Sequence, residues 1–367
     1  KFRASYGTTG SDAIGDYQFL SRWAPSTLVF PGGAAGYIVQ NLANPDFGWA
    51  ITRKLELALE TGFLNDQIVA SIAWYHHETN NQLVSYKLPS QNGGFDGITA
   101  NLPALVENNG FEFAISSKNI SIKNFRWTSD FNFTIPRNRL VAFPNFEQSS
   151  YRYTYVIGEP LNVLLNYRLH GVDPTTGLYL FITKDGPTSS PLRTLENYQV
   201  IGSTTPDFYG GLNNNLHYKG FQLSMFFEFR RQIGPNYLQQ LYQRGAAGNY
   251  GNLPQTILAR WQNQGDITNI ERLTSLRNTT AARAATEFTL SEGAYSDASY
   301  LRLKTLALSY NWTGGWLQKL KLSDIRIYLN GQNLLTFTKY LGHDPETMSY
   351  FGLPPLRTFM AGIQLTF

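Results

Sequence analysis

The amino-acid sequence predicts an all-β fold, an antiparallel transmembrane β-barrel wall with long loops at one end. Three observations carry that expectation. Charged residues make up only 15% of the chain, against roughly a quarter in soluble domains, while aromatic residues reach 14% and glycine numbers 32. Apolar and polar residues alternate over many segments with the period of two that puts successive side chains on opposite faces of a strand. The links between those segments are either very short or very long, the topology of an outer-membrane barrel whose short turns lie on the periplasmic side.

The composition suits such a wall because Asn, Gln, Thr, Ser and Tyr replace the missing charge. Strands of this kind have one apolar face, one polar uncharged face and aromatic girdles at the interfaces. About ten strands are expected, beginning near residues 1, 49, 67, 110, 124, 207, 221, 299, 323 and 355. The chain opens inside a strand-like pattern, Lys1 to Gly7. Leu55, Leu57, Leu59 and Phe63 then oppose Lys54, Glu56 and Glu60, and Ile68, Ala70, Ile72 and Trp74 begin the next run. Phe125, Trp127, Phe131, Phe133 and Ile135 oppose Arg126, Thr128, Asp130, Asn132 and Thr134. From Phe221 to Arg231 the odd-numbered residues from Phe221 to Phe229 are apolar, and Phe226 alone breaks the rule on the other face. In Ser299 to Trp312, Leu301 and Leu303 are in one phase and Leu306, Leu308 and Tyr310 in the other, so a β-bulge is expected near Lys304. Ile325, Ile327 and Leu329 oppose Arg326, Tyr328 and Asn330, and the last run is Phe359, Ala361, Ile363, Leu365 and Phe367.

Tight turns are expected at Phe63 to Gln67 and at Tyr218 to Phe221, a looser one at Lys118 to Lys123, and a longer one from Thr313 to Leu322. The long segments, about 9 to 48, 89 to 109, 138 to 205, 233 to 298 and 339 to 354, far exceed ordinary loop lengths.

Several function classes are disfavoured. The formal charge of +4 is dispersed, so there is no nucleic-acid footprint. Without Cys there is no disulfide, thiolate metal site or cysteine nucleophile. No window holds the roughly 18 consecutive apolar residues of a spanning helix. With no start Met and no signal peptide, the chain reads as a fragment. His76-His77-Glu78 suggests a metal cluster until the strand period sends neighbours to opposite faces. Asp173-Pro174-Thr175-Thr176-Gly177 could offer oxygens to calcium, but a Pro-initiated, Gly-ended turn explains it. His343-Asp344-Pro345-Glu346 could be imagined as an acid–base pair, yet no nucleophile motif lies near it. Nucleotide-binding glycine motifs are missing, and the two Asn-x-Thr triplets at Asn132 and Asn278 are noise. No enzyme activity, cofactor or metal is expected.

The strongest family match runs through Ser299-Tyr300-Leu301-Arg302-Leu303-Lys304, Ile325-Arg326-Ile327-Tyr328, Gly331-Gln332-Asn333-Leu334-Leu335-Thr336-Phe337, Gly342-His343-Asp344-Pro345-Glu346 and the closing Arg357 to Phe367. Upstream, Thr205-Pro206-Asp207-Phe208-Tyr209-Gly210-Gly211, Gly171 to Gly177 and Arg3 to Gly10 contribute. These residues resemble the SusC/RagA-like TonB-dependent outer-membrane transporters. The resemblance implies that residues 1–367 are the C-terminal part of a plugged barrel of about 22 strands, with the plug, the TonB-contacting segment and the earlier strands lying elsewhere. It also implies energised import of glycan or peptide fragments across a Gram-negative outer membrane, with a SusD-like surface lipoprotein as a lid.

The polar face places Tyr209, Asn213, Asn215, Gln222, Glu228, Arg230, Arg326, Tyr328, Asn330 and Gln332 toward the lumen, and the loops add Tyr237, Tyr242, Tyr250 and Trp261. Such groups hydrogen-bond or stack on polar oligomers without the cost of stripping dense charge. For the loop aromatics, packing of the long loops on themselves is the bland alternative. Leu223, Met225, Phe227, Ile325, Ile327, Ile363 and Leu365 are assigned to lipid, and Phe359 and Phe367 to an assembly signal. Two rival folds are a soluble secreted β-sandwich for binding or glycan processing, and a small closed barrel of ten strands.

Overall fold

The structure is a computed structural model that describes residues 1–11, 17, 19–29, 32–44, 47–87, 97–242, 253–349 and 352–367. Its frame is a 10-stranded antiparallel sheet in which each strand pairs with the wall strand before and after it in the chain. The strands are β1 (Phe2–Ser11), β2 (Ala50–Phe63), β3 (Ile68–Asn80), β4 (Leu105–Ile122) and β5 (Phe125–Ala142). They continue as β6 (Phe208–Tyr218), β7 (Phe221–Arg231), β8 (Tyr300–Trp312), β9 (Asp324–Thr338) and β10 (Thr358–Thr366). Short links β2–β3, β4–β5, β6–β7 and β8–β9 lie at one end, and the long segments lie at the other.

The short turns work through backbone conformations that few residues accept. Leu64, Asn65 and Asp66 have φ of 53°, 55° and 61°, and Lys219 has φ of 52°. Asn and Asp tolerate this left-handed region better than most residues. The β8–β9 link holds a single 3-10 turn, Leu317–Leu320.

Cross-strand register carries one phase of side chains across the whole sheet. Leu57 faces Trp74, Ile72 faces Phe113, Phe113 faces Phe133, Leu212 faces Phe227, Met225 faces Leu306, Leu308 faces Leu329 and Ile327 faces Ile363. This apolar face is bare. Ile363 is 68% exposed and Leu329 53%. Water would oppose so large a contiguous apolar surface, whereas acyl chains would not. Among the described residues the other sheets have two or three strands and lie within the long segments, so no second layer covers this face. That overturns the sandwich alternative. The ten-strand closed barrel is overturned too, because β1 and β10 are the sheet's outer strands and do not pair with each other, each pairing on one side among the described residues.

Two irregularities follow from packing. Leu303 faces Leu335 while Thr305 faces Gln332, so Lys304 bulges out of β8 as expected, and Asn333 and Leu334 are the extra residues on β9. The bulge turns Lys304 toward the polar face. Phe226, the one aromatic residue out of phase in β7, covers Gly211 of β6, where any side chain would meet its ring at 2.8 Å.

The β4–β5 hairpin corrects the expected boundaries. Both strands run for 18 residues, well beyond the roughly 9–11 that cross a bilayer. The apolar alternation ends with the membrane, but pairing continues above it through polar cross-strand contacts. Asn138 donates to the Asn108 side-chain oxygen at 2.7 Å, and Arg139 pairs with Glu107 at 2.6 Å. Leu102, Ala104, Val106, Leu140 and Phe143 form a small core at the top of this hairpin.

The main hydrophobic core lies in the long segments rather than in the wall. Tyr167, Tyr179, Phe181, Leu238, Tyr242, Ile257, Ile270 and Phe288 pack together from residues 143–207 and 232–299. Helix α1 (Tyr237–Tyr242) and helix α2 (Thr280–Phe288) belong to it. Thr279 caps α2 by accepting from the Ala282 N–H at 3.2 Å, and Ala281, Ala284, Ala285 and Phe288 bury one helical stripe. These segments thus fold into a packed unit beyond the sheet, as compact surface loops do.

Candidate functional site

The polar phase is the counterpart of the apolar one. Register places Tyr209, Asn213 and Asn215 of β6 opposite Arg230, Phe226 and Ser224 of β7 on this face. Arg326, Tyr328 and Asn330 of β9 share it, opposite Asn311, Ser309 and Ala307 of β8. Gln222, Glu228 and Gln332 lie in the same phase. The ten-strand wall therefore brings the strand-borne candidates to one continuous surface of amides, phenols and a few guanidinium groups. Arg230 stacks over the Tyr209 ring at 5.6 Å, forming a flat platform at the loop end. Arg326 reaches Ser309 at 3.5 Å, and the Tyr328 ring lies over Gly362 of β10.

The loop candidates divide differently. Tyr242 is 2% exposed and packs edge-on against Phe288 at 5.5 Å, so in this structure it cannot meet a ligand. The expectation for it is corrected: the long loops have a core of their own, and Tyr242 is part of it. Tyr237 borders the same core, and its N–H donates to the Leu341 carbonyl at 2.9 Å. Trp261 donates its indole N–H to the Pro174 carbonyl at 2.9 Å and lies against Gly177. There it braces the 173–177 turn, where Asp173 accepts from the Thr175 N–H and the Thr176 hydroxyl. Tyr250 lies outside the described residues. Phe359 follows the outward phase, Phe367 comes directly after β10, and both are exposed.

His76 and His77 face Asn109 and Asn108 respectively, hence opposite sides of the sheet. Among the described residues no group of three or more His, Cys, Asp or Glu is placed to hold a metal ion.

One cluster was not anticipated from the sequence. Arg302, with a side chain 1% exposed, bonds Asp344 and also Glu346, the latter at 2.6 Å. Lys304 reaches Glu346 at 2.7 Å and Glu228 at 3.2 Å. Asp344 also accepts from the N–H groups of Glu346 and Thr347, and Gln232 donates to the Pro345 carbonyl at 2.8 Å. The β9–β10 segment is thereby pinned down onto the polar face. Its two carboxylates are engaged with cations, so the acid–base appearance of His343 to Glu346 resolves into a structural strap. The signal was present in the sequence as charges inside a strand of a charge-poor chain, but the partners are 42 and 44 residues apart.

Within the loop core Glu271 is 1% exposed and accepts from the Tyr179 N–H at 3.1 Å. Burial pushes its carboxyl up to about 8. A raised carboxyl stabilises the fold at low pH, and that contribution is lost as pH rises from 4.5, where the unfolded carboxyl ionises, to about 8. Glu271→Gln should therefore match the parent in thermal stability near pH 4.5 and exceed it near pH 8. A parent that is more stable at the higher pH would contradict this.

No family model matches the chain. At 28% identity the whole chain aligns with 39% of TonB-dependent receptor P3 of Formosa agariphila. At 25% it aligns with 37% of TonB-dependent receptor SusC of Bacteroides thetaiotaomicron. Among solved structures, that of the RagAB peptide transporter superposes with a TM-score of 0.80 at 25% identity, covering 100% of this chain and 40% of that one. The chain thus spans about two-fifths of the length of the relatives it matches.

Proposed function

From its kinship with the SusC/RagA-like TonB-dependent transporters, we propose that this chain is the C-terminal part of the barrel wall of an outer-membrane importer for polar oligomeric nutrients. One observation carries this function. A single sheet has a bare, mainly apolar face, interrupted where Ser117, Ser129 and Asn214 share the outward phase, a polar amide- and phenol-rich face, and a packed loop unit at one end. The apolar face meets outer-membrane lipid, and the polar face lines the lumen of a barrel of about 22 strands. The plug, the TonB-contacting segment and the other strands belong to the rest of a longer parent chain.

Tyr209, Asn213, Asn215, Arg230, Arg326, Tyr328 and Asn330 contact cargo in this proposal. Amides and aromatic rings serve peptides and glycans alike, and the peptide named for the RagAB transporter supports the first. A SusD-like lipoprotein covers the loop end. No catalytic step is proposed.

The test is to purify the intact parent in detergent with whatever co-purifies and identify bound ligand by mass spectrometry. A peptide or glycan fragment with a lipoprotein subunit is expected. A metal chelate or cobalamin-like ligand without a lid subunit would overturn the substrate class, and a protein monodisperse without detergent would overturn the membrane assignment.

Assembly gives a further expectation. Deleting Phe367, or Phe367→Asp, alters the residue that follows β10, the strand that ends the sheet among the described residues, and should impair insertion. Heat-modifiable, membrane-inserted protein at normal yield would count against it.

A further inference from the structure

The outward phase at the loop end of the wall differs from the leucine-rich surface below it. Phe133, Phe208 and Phe229, on three adjacent strands, have ring centroids 5.4, 6.1 and 6.4 Å apart. Phe208, Phe229 and Phe337 line an open cleft of about 660 Å³, bordered by Arg231 and Lys339. Arg137 stands in the outward phase at the top of β5 and, like Arg231 and Lys339, is exposed. Strand spacing puts Arg231 roughly 10 Å from each of the other two. Two carboxylates are also present: Asp207 is 3.1 Å from Arg231, and Asp297 lines the cleft. The three cations exceed the two acids by one. The Arg231–Asp207 pair is itself exposed, so little is lost when it opens.

Aromatic rings in a barrel wall sit at headgroup depth, and cations just above them meet the charged part of the lipid. The Phe cluster continues downward into the bare apolar phase without a polar break, through Leu303, Leu335 and Met225. A ligand here must therefore be amphiphilic, with its anionic group above and its hydrocarbon below. We propose that this rim binds a phosphorylated lipid of the outer leaflet, its phosphate against Arg137, Arg231 and Lys339 and an acyl chain against Phe208, Phe229 and Phe337. The site rests on the membrane-wall function proposed above; its phenylalanines and its three cations are in the outward phase, while Arg230 and Tyr300 of the polar phase border the same cleft at the loop end of the sheet.

The test uses the full-length parent in detergent, titrated with lipid A, with the same lipid stripped of its phosphates, and with inorganic phosphate, and read by native mass spectrometry. Lipid A should bind, and the double variant Arg231→Ala/Lys339→Ala should bind it roughly tenfold or more weakly. Dephosphorylated lipid should bind the parent no better than lipid A binds the variant, and inorganic phosphate should not bind. Equal lipid A affinity in parent and variant, or equal binding of the dephosphorylated lipid, overturns the proposal. So does inorganic phosphate binding as tightly as lipid A, which would make the site one for a free anion. Because the variant keeps the apolar face, its insertion into membranes alongside unchanged lipid binding would sink this site alone. A parent that needs no detergent would instead sink the membrane assignment.

Discussion

Arg302→Ala is expected to destabilise the protein by about 3–5 kcal/mol, because it leaves the buried Asp344 carboxylate without its cation. Asp344 is 6% exposed and Arg302 is its charged partner across the strap. Lys304 still neutralises Glu346 from the other side, so the loss falls mainly on Asp344. Removing both members of the pair, with Arg302→Met and Asp344→Asn, should recover much of the stability, since replacing a buried ion pair with neutral groups often costs little. Denaturant unfolding of vesicle-reconstituted protein measures both. An Arg302→Ala cost below about 1 kcal/mol would mean that the strap is not held by this network.

Met225→Arg is expected to cost roughly 2–4 kcal/mol, the range for a cation on the lipid face at mid-bilayer. Met225 lies at the centre of β7 and faces Leu306 in the outward phase. Its neighbour Ser224 faces Ala307 and Asn215 in the inward phase, so Ser224→Arg should cost far less. Ile327→Arg, nearer the short-turn end of β9, should fall between them, because the penalty declines toward the interface. Equal costs for Met225→Arg and Ser224→Arg would reverse or abolish the assigned faces.

What was legible in the sequence follows the membrane. Where a strand crosses lipid, alternate positions meet two different solvents, so Leu223, Met225 and Phe227 could be read against Gln222 and Ser224. The phase slip around Lys304 was visible for the same reason. Above the membrane that constraint ends. Glu107, Asn108, Asn138 and Arg139 are polar enough to read as loop, yet their strands stay paired. The loop core was also hidden, because its aromatic residues converge from distant segments without a shared period. Helix α2 carries a helical stripe, Ala281, Ala284, Ala285 and Phe288, but nine residues are too few for that period to stand out in a chain dominated by strands. Tyr242 shows the consequence for the site. Its side chain suits a ligand as well as a core, and only the packing of Tyr179 and Phe288 around it decides between them.

The two-faced wall is tested most directly by a nitroxide scan along β9 in membranes. The chain has no Cys, so single cysteines can be placed from Ile325 to Asn330 without background from this part of the protein. Collision rates with oxygen, which partitions into lipid, and with a water-soluble nickel chelate are then measured at each position. Oxygen contact should peak at Ile325, Ile327 and Leu329 and the chelate should not reach them, with the opposite bias at Arg326, Tyr328 and Asn330. If Ile325, Ile327 and Leu329 were shielded from both reagents, that face would be buried against protein, and the account of this chain as a lipid-facing barrel wall would be contradicted.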